Sequence, residues 1–165
     1  MNCLSKTNYY YNFKLAFLFW QIQDLTKMAQ AIVLENIRSA YNVGNLVRAA
    51  DAFGFDVIIS GYTPSPLKEP RVLKTSLGAE KHVKIYQFWN PAAAIDFARQ
   101  NYKTLIGAET VPQAVALNEF EFPSEFAIFF GNEVDGILPQ TLEQMDVLVQ
   151  IPMQGFKTSL NVGQA

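Results

Sequence analysis

Three short segments concentrate the residues able to do chemistry. The first runs Glu35-Asn36-Ile37-Arg38-Ser39-Ala40-Tyr41-Asn42-Val43-Gly44-Asn45-Leu46-Val47-Arg48 and holds an amide, a glycine and a guanidinium. Asn42 stands where a helical spacing begins and is well placed to cap that helix. Gly44, inside the first turn, is unfavourable unless something approaches the backbone closely. A helix N-terminus next to an arginine is a natural phosphate site, although a cation such as Arg48 beside an apolar face is more often a snorkelling surface residue. The second segment, Phe129-Phe130-Gly131-Asn132-Glu133-Val134-Asp135-Gly136-Ile137, sets two carboxylates and two glycines after an apolar run. Such a turn leaves backbone amides and carbonyls open to a ligand, but taken alone it reads equally as an ordinary acidic turn. The third, Val149-Gln150-Ile151-Pro152-Met153-Gln154-Gly155-Phe156-Lys157-Thr158-Ser159-Leu160-Asn161-Val162, ends an apolar run in a glycine-containing loop, after which Ser159 or Asn161 would cap a new helix.

The elements that must position these segments follow from hydrophobic spacing. Ala31–Leu34, Val57–Ser60, Lys84–Phe88, Thr104–Ala108, Phe126–Phe130 and Val147–Ile151 are short apolar runs with the character of strands, several of them continuous, as strands buried on both faces are. Val43, Leu46, Val47, Ala50 and Phe53 lie at helical spacing and are closed by Gly54, a residue suited to a left-handed cap. Residues 71–81 have the pattern of a short helix. Asn90-Pro91 is a cap followed by a first-turn proline, opening a helix to about Asn101, and Pro139 opens a short one. Gly61–Pro70, with its prolines, is a loop. Strands alternating with helices imply a parallel α/β sheet covered on both faces, in which ligands bind beyond the carboxyl ends of the strands. Each of the three segments directly follows a strand.

Composition bounds the function classes. The chain has 165 residues, half of them hydrophobic, which suits one globular domain. One cysteine, Cys3, excludes an internal disulfide, and with one histidine, His82, there is no zinc-ligand spacing. The cysteine usage fits a reducing cytosol. Residues 1–27 differ from the rest, with three successive tyrosines and an apolar run, Leu15–Trp20, too short to span a bilayer. Gln21, Gln23 and Asp24 follow where a signal peptide would carry small residues, so this stretch reads as an appended segment and residues 28–165 as the domain. Net charge is −2, but its distribution is uneven. Arg38, Arg48, Lys68, Arg71, Lys74, Lys81 and Lys84 crowd the first half, whereas Arg99 and Lys103 alone face the acids between Asn90 and Gln150. A polyanion would meet the first half, although such lysines also serve simply to solvate a surface.

Taken together, the order and spacing of the three segments are specific. Asn42-x-Gly44-x-x-x-Arg48, Gly131-x-Glu133-x-x-Gly136 and Ile151-Pro152-Met153-x-Gly155-x-x-x-Ser159-Leu160-Asn161-Val162 resemble the three signature motifs of the SpoU/TrmH family of the SPOUT superfamily. Lys74-Thr75-Ser76-Leu77-Gly78-Ala79-Glu80 is similar to that family's segment between the first two motifs. The resemblance covers residues 30–165. It implies an α/β knot, a parallel sheet whose C-terminal segment threads a loop into a deep trefoil knot. It also implies S-adenosylmethionine as cofactor, transfer of its methyl group to a ribose 2′-hydroxyl of tRNA or rRNA, and a homodimer. Members of the family continue past the third motif with a long helix, so the domain is expected to lack that element.

By motif position, the resemblance places Gly131, Ile151 and Leu160 at the cofactor, with Ala108 as a further candidate. Gly131 is then expected to be glycine because the cofactor needs the space. Asn42, Arg48, Glu133, Ser159 and Asn161 match the family's functional polar positions. A guanidinium is not deprotonated in proteins, so Arg48 is expected to bind RNA phosphate rather than to act as a base, and Glu133 to orient the first motif. Arg38, Arg48, Lys68, Arg71 and Lys74, with Lys81 and Lys84, are the candidate RNA contacts, which would position RNA without reading its sequence. The alternative from another class is a non-catalytic RNA- or nucleotide-binding relative with an incomplete domain. No Gly-x-Gly-x-x-Gly is present, so a Rossmann-type reading lacks its fingerprint.

Overall fold

The expected alternation becomes seven strands and four helices in the computed structural model, which describes residues 29–156 and 159–165. The N-terminal segment 1–27 lies outside the described residues, as do Lys157 and Thr158 within the third motif. In chain order the elements are β1 (Gln30–Glu35), α1 (Ala40–Phe53), β2 (Asp56–Ser60), α2 (Pro70–Ser76), β3 (Ile85–Phe88), α3 (Pro91–Asn101), β4 (Thr104–Ala108), β5 (Val115–Ala116), β6 (Phe126–Phe130), α4 (Pro139–Leu142) and β7 (Val147–Gln150). Short 3-10 turns at Ala79–Lys81 and Leu117–Glu119 complete them. The single helix expected over 71–81 is therefore divided. Leu77, at φ 54°, takes the left-handed conformation and closes α2 before the 3-10 turn begins.

The strands form one sheet in the order β3-β2-β1-β6-β4-β7-β5, and every pair is parallel. From β1 the chain builds outward through β2 to β3. It then crosses over to β4, and β6 later inserts between β1 and β4. Side chains alternate between faces as a two-residue period requires. Ile32, Leu34, Val57, Ile59 and Ile128 pack with Val43, Leu46 and Val47 of α1 and Val72 of α2. Ala31, Val33, Ile58, Ala127 and Phe129 face Ala94, Ile95 and Ala98 of α3 and Ile137 before α4. Each fully buried Val, Leu or Ile contributes about 1.5–3 kcal/mol relative to exposure. All carboxyl ends of the strands consequently lie at one edge of the sandwich.

Helix α1 departs from expectation at its start. Ser39, not Asn42, is its N-cap: Ser39 is extended at φ −82°, ψ 112°, and its hydroxyl accepts from the Asn42 N–H. Asn42 is thereby a buried first-turn residue with its amide free to reach elsewhere. At the far end Gly54 closes the helix at φ 73°. Gly44 is required by packing between helices. A Cβ there would overlap the Thr75 hydroxyl and lie 2.7 Å from Thr75 Cβ and 3.0 Å from the Ser76 nitrogen of α2.

Candidate active site

Four loops meet at the carboxyl edge, following β1, β4, β6 and β7. The loop after β6 is the most tightly built. Asn132 and Gly136 exchange two backbone hydrogen bonds, each 2.9 Å, and Gly136 takes a φ of 71°. The Asn132 side chain, buried, accepts from the N–H groups of Val134 and Asp135 at 2.8 and 3.0 Å. Its amide donates to the Asn36 carbonyl at 2.9 Å and to the Tyr62 hydroxyl at 2.7 Å. The chain doubles back so closely that a Cβ on Gly131 would overlap the backbone of Gly136 and Ile137. The return of its own loop is therefore enough to exclude a side chain at Gly131, in addition to the space expected for a cofactor there.

Three carboxylates from three elements hold this loop in place. Glu133, within it, reaches across to the first motif and accepts from the backbone of Arg38 (2.9 Å) and Ser39 (3.0 Å) and from the Asn42 side-chain amide (2.9 Å). Partial burial pushes the Glu133 pKa up, but these hydrogen bonds, from Arg38, Ser39 and Asn42, outweigh it and hold the group below the usual carboxylate range. Glu109, just past β4, accepts from the Ile137 N–H at 2.9 Å. Glu35, at the end of β1 and almost wholly buried, accepts from the Leu138 N–H at 3.1 Å and the Thr141 hydroxyl at 2.6 Å. Burial dominates its titration and raises its pKa, against the smaller opposing effects of Thr141 and Leu138.

Beside the loop opens a cavity of about 540 Å3, within the range of small-molecule sites. Its apolar wall includes Leu117, Ile128, Phe130 and Val149, and its polar rim includes Glu109, Asn132, Glu133, Ser159 and Asn161. All four residues placed at a cofactor by motif position, Ala108, Gly131, Ile151 and Leu160, line it. Of the polar candidates, Glu133, Ser159 and Asn161 line it, whereas Asn42 and Arg48 do not. Asn42 joins the site through Glu133 and through the C-terminal turn, where a Cβ on Gly163 would lie 3.4 Å from the Asn42 side-chain oxygen. That turn does not go on into the helix expected after Ser159 or Asn161. Asn161 is the residue that caps it, its side chain accepting from the Gly163 N–H at 2.8 Å and its carbonyl from Gln164 and Ala165.

The candidate RNA contacts lie at the surface of the domain, outside the cavity lining. Arg38, Arg48, Lys68 and Lys74 are exposed. Arg71 is exposed as well but is paired at 2.8 Å with Glu69, the residue that caps α2. Glu35, Glu109, Tyr62 and Asn132 were not singled out in the sequence. A signal existed for both glutamates, each of which directly follows an apolar strand run and so must stand at the ligand edge.

The SpoU rRNA Methylase family model matches residues 29–165. The chain belongs to the SpoU methylase family. Among its relatives, a Staphylococcus aureus protein assigned to the TrmH family of tRNA/rRNA methyltransferases is 30% identical over 145 residues, covering 88% of this chain and 58% of the relative. The 23S rRNA (guanosine-2′-O-)-methyltransferase of Coxiella burnetii is 28% identical over 83% of this chain and 54% of its own length. The chain thus spans little more than half the length of these curated relatives. A solved SpoU methyltransferase, AviRb of Streptomyces viridochromogenes in complex with the cofactor AdoMet, superposes with a TM-score of 0.73 at 25% identity, over 82% of this chain and 55% of that one. An AdoMet-bound rRNA methyltransferase of Sinorhizobium meliloti shares the fold with a TM-score of 0.75 at 22% identity, over 82% and 52% of the two chains. SpoU methylases use S-adenosylmethionine, and RNA is what they modify.

Proposed function

We propose that this SpoU methylase domain transfers the methyl group of S-adenosylmethionine to a ribose 2′-hydroxyl of tRNA or rRNA. The observation that carries the reading is one cavity at the carboxyl edge of β4, β6 and β7 that the second and third motifs line, with the first motif joined to it through the hydrogen bonds of Arg38, Ser39 and Asn42 to Glu133. The residues present fit the cofactor: an apolar wall suits an adenine ring, and a polar rim suits its ribose and amino-acid ends. Ala108, Gly131, Ile151 and Leu160 would hold the adenine end. When bound, the cofactor would supply a methyl carbon activated by its sulfonium sulfur.

The chain's own part in such a reaction is to position, desolvate and stabilise. Glu133, held below the usual carboxylate range, is a weak proton acceptor at neutral pH. Its work is to lock Arg38, Ser39 and Asn42 against the second motif. Arg48, exposed on α1, would bind an RNA phosphate and ease the developing negative charge on the ribose oxygen. Ser159 and Asn161 stand on the rim where the ribose would enter. The knotted path is part of the proposal and is supported by the way the chain after β7 returns to α1, where Val162 packs against the core and Gly163 lies beside Asn42. A homodimer and a cytosolic setting complete it; among the described residues no helix is long and apolar enough to cross a membrane.

Incubation with labelled S-adenosylmethionine and total tRNA and rRNA, then digestion to nucleosides, tests the reading. Label in 2′-O-methylated nucleosides is the expected result. Label confined to methylated bases would overturn the ribose assignment, and transfer to no RNA would overturn the catalytic one.

A further inference from the structure

Tyr62 stands in the turn directly after β2 and is 57% exposed as a residue. Most exposed aromatic side chains are loosely held, but this one is tied at both ends. Its backbone N–H donates to the Asn36 side-chain oxygen at 3.3 Å, and its hydroxyl accepts from the Asn132 amide at 2.7 Å. Both anchors are themselves fixed. Asn36 takes a left-handed φ of 55°, and Gly61, at φ 65°, packs so closely on the Asn36 side chain that a Cβ would overlap it. Asn132 is buried and lines the cavity. Among the described residues no other ring stacks on Tyr62. The backbone of Arg38, whose side chain is exposed, is bound to Glu133, the residue next to Asn132. The fold therefore ties a solvent-exposed tyrosine to Asn132 of the cavity wall, in the same loop cluster as Arg38.

Rigid open rings next to cations are how proteins receive unstacked nucleobases. RNA is recognised in large part at single-stranded loops, bulges and ends, whose unstacked bases take aromatic side chains as stacking partners. We infer that Tyr62 is the stacking platform for a base of the RNA substrate, at or next to the nucleotide to be methylated. The inference rests on the RNA-methylating function proposed above and adds to it a substrate-positioning residue outside the three motifs. Because the ring is already ordered, stacking on it sacrifices little side-chain entropy.

The test uses the full chain and its Tyr62→Leu, Tyr62→Phe and Tyr62→Trp variants. Methyl transfer to total tRNA and rRNA is measured alongside S-adenosylhomocysteine binding and thermal melting. Tyr62→Leu is expected to raise the apparent KM for RNA by roughly 5- to 100-fold, the range over which base–aromatic stacking is lost on truncation. S-adenosylhomocysteine affinity should stay at the wild-type value, Tyr62→Leu should melt with Tyr62→Phe, which loses the same hydroxyl contact with Asn132, and Phe and Trp should restore most of the RNA affinity. If wild-type protein methylates no RNA, the parent reading falls and this inference with it. If wild-type protein is active and Tyr62→Leu matches its KM, the platform alone is refuted. It is refuted equally if Tyr62→Leu loses the cofactor or melts well below Tyr62→Phe, since the ring would then be a strut between two loops.

Discussion

Replacing Gly131 with alanine isolates what holds the loop after β6. The added methyl would overlap the Gly136 carbonyl carbon and the Ile137 nitrogen, backbone atoms that cannot rotate away as a side chain would. To admit it, the loop must open at the point where Asn132 and Gly136 exchange two hydrogen bonds and Ile137 donates to Glu109. Three such bonds at about 0.5–1.5 kcal/mol each give a loss of about 1.5–4.5 kcal/mol. In a domain of this size that corresponds to a fall in Tm of roughly 5–15 °C. Opening the loop also displaces Gly131 and Glu133 at the cavity, so S-adenosylhomocysteine affinity should fall by about tenfold or more, the equivalent of ~1.4 kcal/mol. Differential scanning calorimetry and isothermal titration on Gly131→Ala measure both. Unchanged melting together with unchanged affinity would refute the clash. Wild-type melting with lost affinity would instead assign the glycine to cofactor approach.

Four further outcomes are expected. Gly44→Val should destabilise the domain by about 1–3 kcal/mol in urea unfolding, because its side chain meets Thr75 and Ser76 of the neighbouring helix. Glu133→Gln should weaken the domain mainly above the ordinary carboxylate pKa: the folded pKa is depressed, so the wild-type contribution is present there and lost as pH falls through the folded value. Glu35→Gln should do the reverse, since its folded pKa is raised and wild-type stability is lost as pH rises through it; the variant should flatten that decline in unfolding measured across pH 4.5 to 8. Arg48→Ala should reduce methyl transfer to RNA while leaving S-adenosylhomocysteine binding unchanged by calorimetry, and Arg48→Lys should rescue it poorly, as a point charge does not replace a planar fork.

The elements were legible in the sequence and their neighbours were not. Apolar runs placed six of the seven strands to within a residue or two, because a strand buried on both faces has no other composition open to it. The two-residue β5 has too little pattern to announce itself. Insertion of β6 between β1 and β4 is a pairing of distant segments, and periodicity carries no information about it. The same limit governed the site. Local rules favour an asparagine at a helix start as the cap, but Asn42 is turned away by Glu133, a partner 91 residues further on, and Ser39 takes the role. At Gly44 the sequence implies a close approach without naming the neighbour, and at Gly131 it points to a cofactor and is silent on the protein backbone that already fills the Cβ position. What approaches is α2 in one case and the loop's own return in the other.

The place of β1 in the sheet sets an order on how this molecule is made. The first described strand lies third from one end of the seven, and its second neighbour, β6, pairs Phe126 with Gln30. During synthesis, β1, α1 and β2 emerge early, yet one edge of β1 has no partner until nearly the whole domain has left the ribosome. An apolar strand with an open edge is a template for wrong pairing, and contacts this distant in sequence close slowly. The cavity is later still, because it needs β7 and the turn at Asn161 to return to a helix finished more than half a chain earlier. Protein caught midway through synthesis would therefore hold a formed first motif and no site, and its exposure to chaperones should be greatest in that interval.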